Sequence, residues 1–275
     1  MSEPATALTV ALVQMAITPG AVEHNVHTAS VAIADAAQRG ADLVLLPELW
    51  ACGYAPAAWH GCASRLDAGI FARMAALARE HHVALGGSHL EQDGERRYNT
   101  LALYGPEGQR WGVYRKIHRF LSMGEDALAA GTEVRIARTP WGKAGLAVCY
   151  DLRFPEMFRL QAVAGARLLL VVAEWPLSRI AHWDVLLRAR AVENQAFVAA
   201  VNCVGVSGKT VFGGHSAVIS PQGEVLAQAD DNEALVIVSV DLAQADAYRR
   251  AFPVLQHRQP QAYRLSEVED AALEP

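Results

Sequence analysis

The sequence is poor in charged residues and concentrates neither sign of charge. Charged side chains make up 19% of its 275 residues, against roughly 25% in an average soluble domain. The 24 basic and 29 acidic residues leave a formal net charge of −5 and form no long block of one sign. Because nucleic acids and anionic membranes bind basic patches, the sequence predicts neither as a partner.

Cysteine is also scarce. The four cysteines, at Cys52, Cys62, Cys149 and Cys203, include no C-x-x-C pair. A chain of this size does not need disulfides to stabilise its core, so a reducing compartment is the default expectation.

The first residues are also without basic side chains. The uncharged residues 5–22 could be mistaken for a signal peptide, but Glu3 and no Lys or Arg precede them. Gln14 and Pro19 lie within the segment, which therefore reads better as a buried strand and turn. We expect a cytoplasmic protein.

No linker rich in Pro, Ser or Gly divides the chain, and it contains no internal repeat or low-complexity run. We therefore predict one domain over residues 1–275, with a core at about residues 6–263 and loose ends at residues 1–4 and after Tyr263.

The chain is rich in small apolar residues. Hydrophobic residues make up 52% of it, and 50 residues are alanine. This excludes intrinsic disorder. Because each alanine buries little area, the surplus favours close packing of helices on sheets, or subunit contacts, over a large oily interior.

Short β-type runs alternate with helical patterns along the chain. Helical spacing predicts helices over residues 22–39, 70–81 and 181–195. Two runs flanking residues 105–108 predict a hairpin, and residues 168–173 are apolar throughout, as in a strand buried on both faces. Further β-type runs cover residues 8–14, 43–46, 83–85, 144–148, 197–203, 216–220, 225–229 and 235–240. This mixture of crossovers and hairpins favours an α/β fold with two mixed sheets, each covered by helices.

Three reactive side chains, Glu48, Lys116 and Cys149, each lie just past a β-type run. Ligands commonly bind where strands of α/β proteins end, because the connecting loops close around a rigid base. By position alone, Cys149 would more often be an inert core thiol, and Glu48 and Lys116 would more often be solvated surface charges.

The sequence motifs around these residues distinguish between these interpretations. The segments LLPELWACGY (residues 45–54), YRKIH (114–118) and GLAVCYDLRFPE (145–156) resemble the three signature blocks of the nitrilase superfamily of carbon–nitrogen hydrolases. They occur in the family's order, and the resemblance covers nearly the whole chain. It implies a four-layer α-β-β-α sandwich, a Glu-Lys-Cys catalytic set, and assembly as a homodimer or larger homo-oligomer.

The resemblance implies a hydrolysis of amides that suits these residue types. A thiolate is the attacking species, and Cys149 needs Glu48 as a general base to form it. Lys116 favours the thiolate and then stabilises the oxyanion, joined by the backbone N–H of Tyr150. No metal or organic cofactor is required.

A second carboxylate is expected to assist. Glu125 aligns with an additional glutamate of the family, and the resemblance implies that it orients substrate and Lys116. Asp126 beside it leaves the register open by one residue, and a solvated loop acid is the other interpretation.

The segments AEWP (residues 173–176) and HWDVLLRARAVENQ (182–195) resemble the branch that contains ω-amidases, which hydrolyse the terminal amide of 2-oxoglutaramate and related 2-oxo acids. Glu174 and Trp175 are therefore candidate substrate-binding residues, with Tyr150. Relatives often carry Asn or Gln where Glu174 stands, and a charged Glu174 would repel a substrate carboxylate. Arg153 could bind such a carboxylate, or pair structurally with Glu193.

Several other interpretations remain. Residues 208–210 imitate the end of a P-loop, but Cys203 occupies the position of the required first glycine. A Cys-His hydrolase would use His118, His182 or His215 in place of Lys116.

A deaminated-glutathione amidase, an N-carbamoyl amidase, a nitrilase and a non-catalytic binding relative are the alternative functions. Cys52, Cys62 and Cys203 are expected to be structural.

Overall fold

Two six-stranded sheets stack face to face in the computed structural model, which describes residues 5–263. The predicted loose ends lie outside the described residues. The strands in chain order are β1 (Ala7–Gln14), β2 (Leu43–Leu45), β3 (Ala84–Asp93), β4 (Arg96–Tyr104), β5 (Arg110–Arg115), β6 (Ile136–Thr139), β7 (Gly142–Val148), β8 (Leu168–Ala173), β9 (Phe197–Asn202), β10 (Val204–Ser207), β11 (Thr210–Gly213), β12 (Ala217–Ile219), β13 (Val225–Gln228) and β14 (Ala234–Asp241).

Both sheets are mixed, as predicted. The first has the order β14-β1-β2-β3-β4-β5 and the second the order β13-β12-β9-β8-β7-β6. In the first sheet β1, β2 and β3 are parallel, and in the second β7, β8 and β9 are parallel. Hairpins supply the edge strands β5, β6 and β13, including the predicted turn between β4 and β5, whereas the edge strand β14 pairs antiparallel with the distant β1.

Helices cover the outer faces of the sheets. The helices of the described chain are α1 (Val22–Gln38), α2 (Trp59–Cys62), α3 (Gly69–His81), α4 (Pro155–Val163), α5 (Ile180–Asn194) and α6 (Ala243–Ala251). The first sheet carries α1 and α3, and the second carries α4 and α5. After α1, Gly40 adopts a φ of 80°, a left-handed conformation that favours glycine.

The strands bury one or both faces according to their place. In β1, Leu8, Val10 and Leu12 enter the core between the sheets, whereas Ala11 and Val13 pack under the helices. This alternation is the two-residue period of a strand. All six residues of β8 are buried, which confirms the prediction from its continuous apolar run.

Residues 208–210 form no phosphate cradle. Gly208 and Lys209 lie between Ser207 and Thr210, which pair across the β10–β11 hairpin. Within the described residues, no helix is long and apolar enough to cross a membrane.

Candidate active site

Topology brings the ends of three strands to one place. β5 runs in the same direction as β2, because two antiparallel pairings separate it from β3, which is parallel to β2. Glu48 and Lys116 therefore follow strands that end at the same edge of the first sheet. Cys149 follows β7 of the facing sheet, so the site lies between the two sheets.

Tight turns present both Glu48 and Cys149. Leu49, directly after Glu48, has a φ of 43°, and Cys149 itself has a φ of 47°. Residues other than glycine rarely adopt this backbone conformation, and such strained residues concentrate at functional sites. At both positions the positive φ angle accompanies a sharp turn of the chain just after a strand.

Asp151 holds the Cys149 turn against the Lys116 segment. Its Oδ2 atom accepts hydrogen bonds from the Val148 backbone N–H (2.9 Å) and the Tyr114 hydroxyl (2.8 Å). Its Oδ1 atom accepts one from the His118 backbone N–H (3.1 Å). One buried carboxylate thus fixes the spacing between the nucleophile segment and the lysine segment.

Lys116 lies between two carboxylates. Its Nζ atom donates to Oε1 of Glu48 at 2.8 Å and contacts both carboxylate oxygens of Glu125 at 2.8 Å. All three side chains are 1% exposed or less. Of the two adjacent acids, Glu125 contacts Lys116, whereas Asp126 is exposed.

Glu48 is held by several donors besides Lys116. Asn99 Nδ2 donates to its Oε1 atom at 2.7 Å, and the Tyr54 hydroxyl lies 3.0 Å from the same atom. The backbone N–H of Glu174 donates to Oε2 at 3.0 Å. These bonds orient the carboxylate before any substrate binds.

Glu125 shares these donors. Its Oε1 atom lies 3.0 Å from the Tyr54 hydroxyl and 3.1 Å from Asn99 Nδ2. Its Oε2 atom accepts the backbone N–H of Phe120 at 2.5 Å.

The charges in this cluster set its protonation. Burial alone would lower the pKa of Lys116, but the negative charges of Glu48 and Glu125 raise it above its ordinary value. Burial alone would raise the pKa of Glu125, but Lys116 lowers it. At neutral pH, Lys116 is therefore an ammonium beside an ionised Glu125.

Cys149 faces this cluster as a thiol. Burial and then the negative charge of Glu48 raise its pKa well above the ordinary value, and Lys116 only partly opposes them. Its Sγ atom lies 3.9 Å from the backbone oxygen of Glu174. Because the resting sulfur keeps its proton, attack on a carbonyl requires a base that removes it.

A cavity of about 340 Å³ opens onto the sulfur. Cys149, Tyr54, Glu174 and Trp175 form its buried part. Its more exposed part is lined by Phe120, Met123, Tyr150, Arg153, Pro176, Arg179 and His182.

Arg153 does not pair with Glu193, which was one of its two predicted roles. Glu193 pairs instead with Arg190 at 2.9 Å, one helical turn away. The Arg153 guanidinium lies 4.7 Å from the ring centroid of Trp175, at the cavity.

The histidines of the alternative Cys-His hydrolase have other partners. His118 contacts Asp151 at 2.8 Å and His215 contacts Asp184 at 3.1 Å. His182 lines the cavity 3.4 Å from Arg153. Within the described residues, no histidine is hydrogen bonded to Cys149.

Tyr54, Asn99 and Asp151 belong to this network, although the sequence did not predict a role for them. Asn99 and Asp151 are fully or almost fully buried polar residues. Asn99 precedes the apolar part of β4, and a buried polar side chain in a strand needs a partner, but only the structure shows that Asn99 is buried. Tyr54 and Asp151 lie inside the quoted signature segments.

Comparison with known proteins places the chain in a family. Residues 9–250 match the model of the carbon–nitrogen hydrolase family. The chain is 36% identical to a 2-oxoglutaramate amidase of Bacillus subtilis (strain 168), covering 90% of this chain and 95% of the relative. It is 39% identical to a 2-oxoglutaramate amidase of Paenarthrobacter nicotinovorans, covering 79% and 78%. The protein belongs to the carbon–nitrogen hydrolase family.

Solved structures agree with this assignment. The CN-hydrolase superfamily protein XC1258 of Xanthomonas campestris, with an arsenic adduct in its active site, has a TM-score of 0.86 and 31% identity, covering 92% of this chain and 97% of that one. A glutamate-to-glutamine mutant of the amidase from Nesterenkonia sp. AN1 carries the acetamide moiety of fluoroacetamide covalently on its active-site cysteine. Its TM-score is 0.82 at 27% identity, covering 95% and 97%. The carbon–nitrogen hydrolase described here is an enzyme that acts on amides.

Proposed function

We propose that this enzyme hydrolyses the terminal amide of a small 2-oxo acid, such as 2-oxoglutaramate, and releases ammonia. The observation that carries the proposal is the cavity: a buried thiol beside a paired Glu48, with cationic side chains in the outer part. The similarity to 2-oxoglutaramate amidases over 90% of the chain supports the choice of substrate.

In the proposed reaction Cys149 is the nucleophile. Its sulfur attacks the amide carbon while Glu48 takes the thiol proton. The tetrahedral intermediate collapses, the C–N bond breaks, and Glu48 returns the proton to the departing nitrogen, which leaves ammonia and a thioester. Water then attacks the thioester as Glu48 accepts its proton. The C–S bond breaks, Glu48 passes that proton to the sulfur of Cys149, and the carboxylic acid is released.

The oxyanion of both intermediates needs donors. Lys116 supplies one from its ammonium. The backbone N–H of Tyr150 supplies another from the first turn of the 3₁₀ helix Cys149–Arg153, where N–H groups lack intrahelical partners. Glu125 keeps Lys116 in place through its two 2.8 Å contacts.

Arg153 suits the far end of such a substrate. Its guanidinium packs over Trp175 at the cavity, and within the described residues it has no carboxylate partner. A substrate carboxylate would be the missing ion-pair partner of this guanidinium. Arg179, also in the outer part of the cavity, adds a second positive charge.

The test is a substrate panel. Ammonia release is measured for 2-oxoglutaramate, succinamate, acetamide, deaminated glutathione, an N-carbamoyl amine and a nitrile. We expect 2-oxoglutaramate to have the highest kcat/KM, and a thioester on Cys149 in the mass spectrum of the quenched enzyme. A faster nitrile or N-carbamoyl amine would contradict the proposal.

Arg153→Met separates recognition from chemistry. Its KM for 2-oxoglutaramate should rise about tenfold with little change in kcat, because the lost contact is to the unreactive end of the substrate. Acetamide, which has no carboxylate, should be hydrolysed as by the parent enzyme. An equal loss on both substrates would place Arg153 outside substrate recognition.

We also propose that the enzyme forms a homodimer through α4 and α5. These two packed helices expose apolar side chains: Leu160 is 55% exposed and Val185 is 61% exposed, and Val163 and Val192 are also exposed. A contiguous exposed apolar surface marks an interaction site. Sedimentation at micromolar concentration should give a dimer that Val185→Asp dissociates, and a monomeric parent protein would contradict this.

A cytoplasmic location is proposed as well, since all four cysteines are free in the described structure. Titration of the protein in unfractionated extract should give four reduced thiols, and fractionation should recover it with cytosolic markers. Recovery in an oxidised compartment would contradict the proposal.

A further inference from the structure

The carboxyl group of Glu174 differs from the other acids of the site. Its side chain is 1% exposed and lines the cavity. Within the described residues, neither of its oxygens has a hydrogen-bond partner. Glu48 and Glu125 lie beside it with the donors of Lys116 and Asn99 shared between them. A buried polar group is normally paired, so these oxygens indicate a partner that enters the cavity.

The backbone of Glu174 is already part of the reaction centre. Its N–H donates to Glu48 at 3.0 Å, and its carbonyl oxygen lies 3.9 Å from the sulfur of Cys149. A carboxyl group carried by this residue is therefore held near any amide that the sulfur attacks. Bound substrate is the molecule best placed to pair with it.

The surroundings of this carboxyl group keep it protonated. Burial raises the pKa of Glu174 well above the ordinary value, and the negative charge of Glu48 raises it further. Lys116 and the nearby backbone N–H of Tyr54 oppose the rise, but the ammonium is already paired with Glu48 and Glu125, and the N–H does not reach hydrogen-bond geometry with either oxygen of Glu174.

Other titratable groups near Glu174 supply no positive charge. They include the thiols of Cys52 and Cys203 and the hydroxyl of Tyr54, none of which can be cationic. The side chain of Glu174 therefore offers the cavity one O–H donor and one carbonyl acceptor, as a neutral amide would. This removes the objection that Glu174 would repel an anionic substrate.

We propose that the protonated carboxyl of Glu174 donates a hydrogen bond to a second carbonyl oxygen of the substrate, one that is not on the scissile carbon. The inference rests on the proposed function, in which this second carbonyl is the 2-oxo group. Glu174 is then the residue that selects 2-oxo acid amides among amides of equal length.

Charge supports an oxygen acceptor over a substrate cation. The outer part of the cavity carries Arg153 and Arg179, which repel a cationic substrate and attract a carboxylate. A neutral Glu174 provides no negative charge to an ammonium group. A pocket that hydrogen bonds a substrate group also discriminates strongly against an analogue that lacks it, because the buried donor is then left unpaired.

Three substrates with one carbon skeleton test the inference. 2-Oxoglutaramate carries the oxo group, glutaramate has a methylene in its place, and glutamine has an ammonium-bearing carbon. Their kcat/KM values are measured for the parent enzyme, Glu174→Gln, which keeps a donor and an acceptor, and Glu174→Met, which has neither. Glu80→Gln and Glu80→Met, at an exposed position of α3, are the matched controls.

We expect the parent enzyme to prefer 2-oxoglutaramate to both analogues by at least about tenfold. Glu174→Met should lose about tenfold or more on 2-oxoglutaramate and less than about threefold on glutaramate, whereas Glu174→Gln should keep the preference. The Glu80 controls should match the parent. Thermal unfolding checks that each variant folds. If Glu174→Met does not fold, the inference is tested by whether the parent enzyme and Glu174→Gln both prefer 2-oxoglutaramate to glutaramate and glutamine.

Two results would overturn the inference alone. An equal loss on all three substrates would mean that Glu174 acts on the scissile carbonyl or supports the site structurally. A preference for glutamine that Glu174→Gln abolishes would mean that a charged carboxylate binds a cation. By contrast, a parent enzyme that hydrolyses glutaramate but not 2-oxoglutaramate would refute the proposed function together with this inference.

Discussion

The two sheets contribute groups of opposite character to the site. The first sheet and its loops supply Glu48, Asn99, Lys116 and Glu125, which are hydrogen bonded to one another. The second sheet supplies the sulfur of Cys149, whose contact to a backbone oxygen is 3.9 Å long, and Glu174, whose carboxyl has no partner among the described residues.

This difference separates preorganisation from recognition. We call Glu48, Asn99, Lys116 and Glu125, together with the Tyr54 hydroxyl that contacts both glutamates, the first wall. This wall is assembled before substrate arrives. Its hydrogen bonds stabilise the fold as well as the transition state. The wall of the second sheet awaits substrate and is a poor source of stability. Substitutions in the first wall should therefore lower both activity and stability, whereas substitutions in the second should lower activity alone.

The largest effect should come from the second wall. Cys149→Ala removes the nucleophile and should lower kcat by at least about 10⁴-fold, because no other group can form the thioester. The midpoint of thermal unfolding should stay within about 2 °C of the parent value. Cys62→Ala, outside the cavity, is the control. Undiminished turnover in Cys149→Ala would refute the proposed mechanism.

Lys116→Met should damage both properties. It removes the ammonium that faces the oxyanion, and we expect kcat to fall about 10²–10³-fold, as for the loss of an oxyanion donor. It also leaves Glu48 and Glu125 buried together without a cation, which should cost about 3–5 kcal/mol of unfolding free energy. Steady-state kinetics and urea denaturation measure the two effects. A fully stable Lys116→Met protein would show that these charges do not stabilise the fold.

The sequence was sufficient for features that depend on local pattern. The apolar runs before Glu48, Lys116 and Cys149 located the strand ends, and the topology then brought those ends together. α4 and α6 were missed because each is only nine residues long, too short for a clear helical period.

Contacts across the fold were less accessible from the sequence. The pairing of Arg153 with Glu193 was one of two open interpretations, but Arg190 lies on the same helix as Glu193 and reaches it first. Both oxygens of Glu174 lie unpaired in the cavity because of how the two sheets pack. The residues next to Glu174 in the sequence do not reveal this.

A single hydroxyl gives a smaller test of the first wall. Tyr54→Phe removes the group that lies 3.0 Å from both Glu48 and Glu125, so we expect kcat to fall about tenfold. The unfolding free energy should fall by about 1 kcal/mol, a shift of about 2–4 °C in the unfolding midpoint. Tyr104→Phe is the matched control, since the buried Tyr104 hydroxyl has no partner in the described structure. Equal behaviour of the two variants would show that Tyr54 adds nothing to the network.

The smallest effect should be the acid dependence of the same wall. Lys116 holds the pKa of Glu125 below its ordinary value of 4.5 against the opposing effect of burial. A carboxylate whose pKa is lowered by folding stabilises the protein above the pKa of the unfolded chain, and this contribution is lost as the pH falls through the folded pKa. The difference in unfolding free energy between the parent and Glu125→Gln should therefore be constant above about pH 5 and shrink below pH 4.5. Urea denaturation from pH 7 to pH 3 measures it, with Asp126→Asn, at the exposed neighbour, as the control. A difference that persists unchanged at pH 3 would mean that the Glu125 side chain stabilises the fold by packing and that the charge of its carboxylate contributes little.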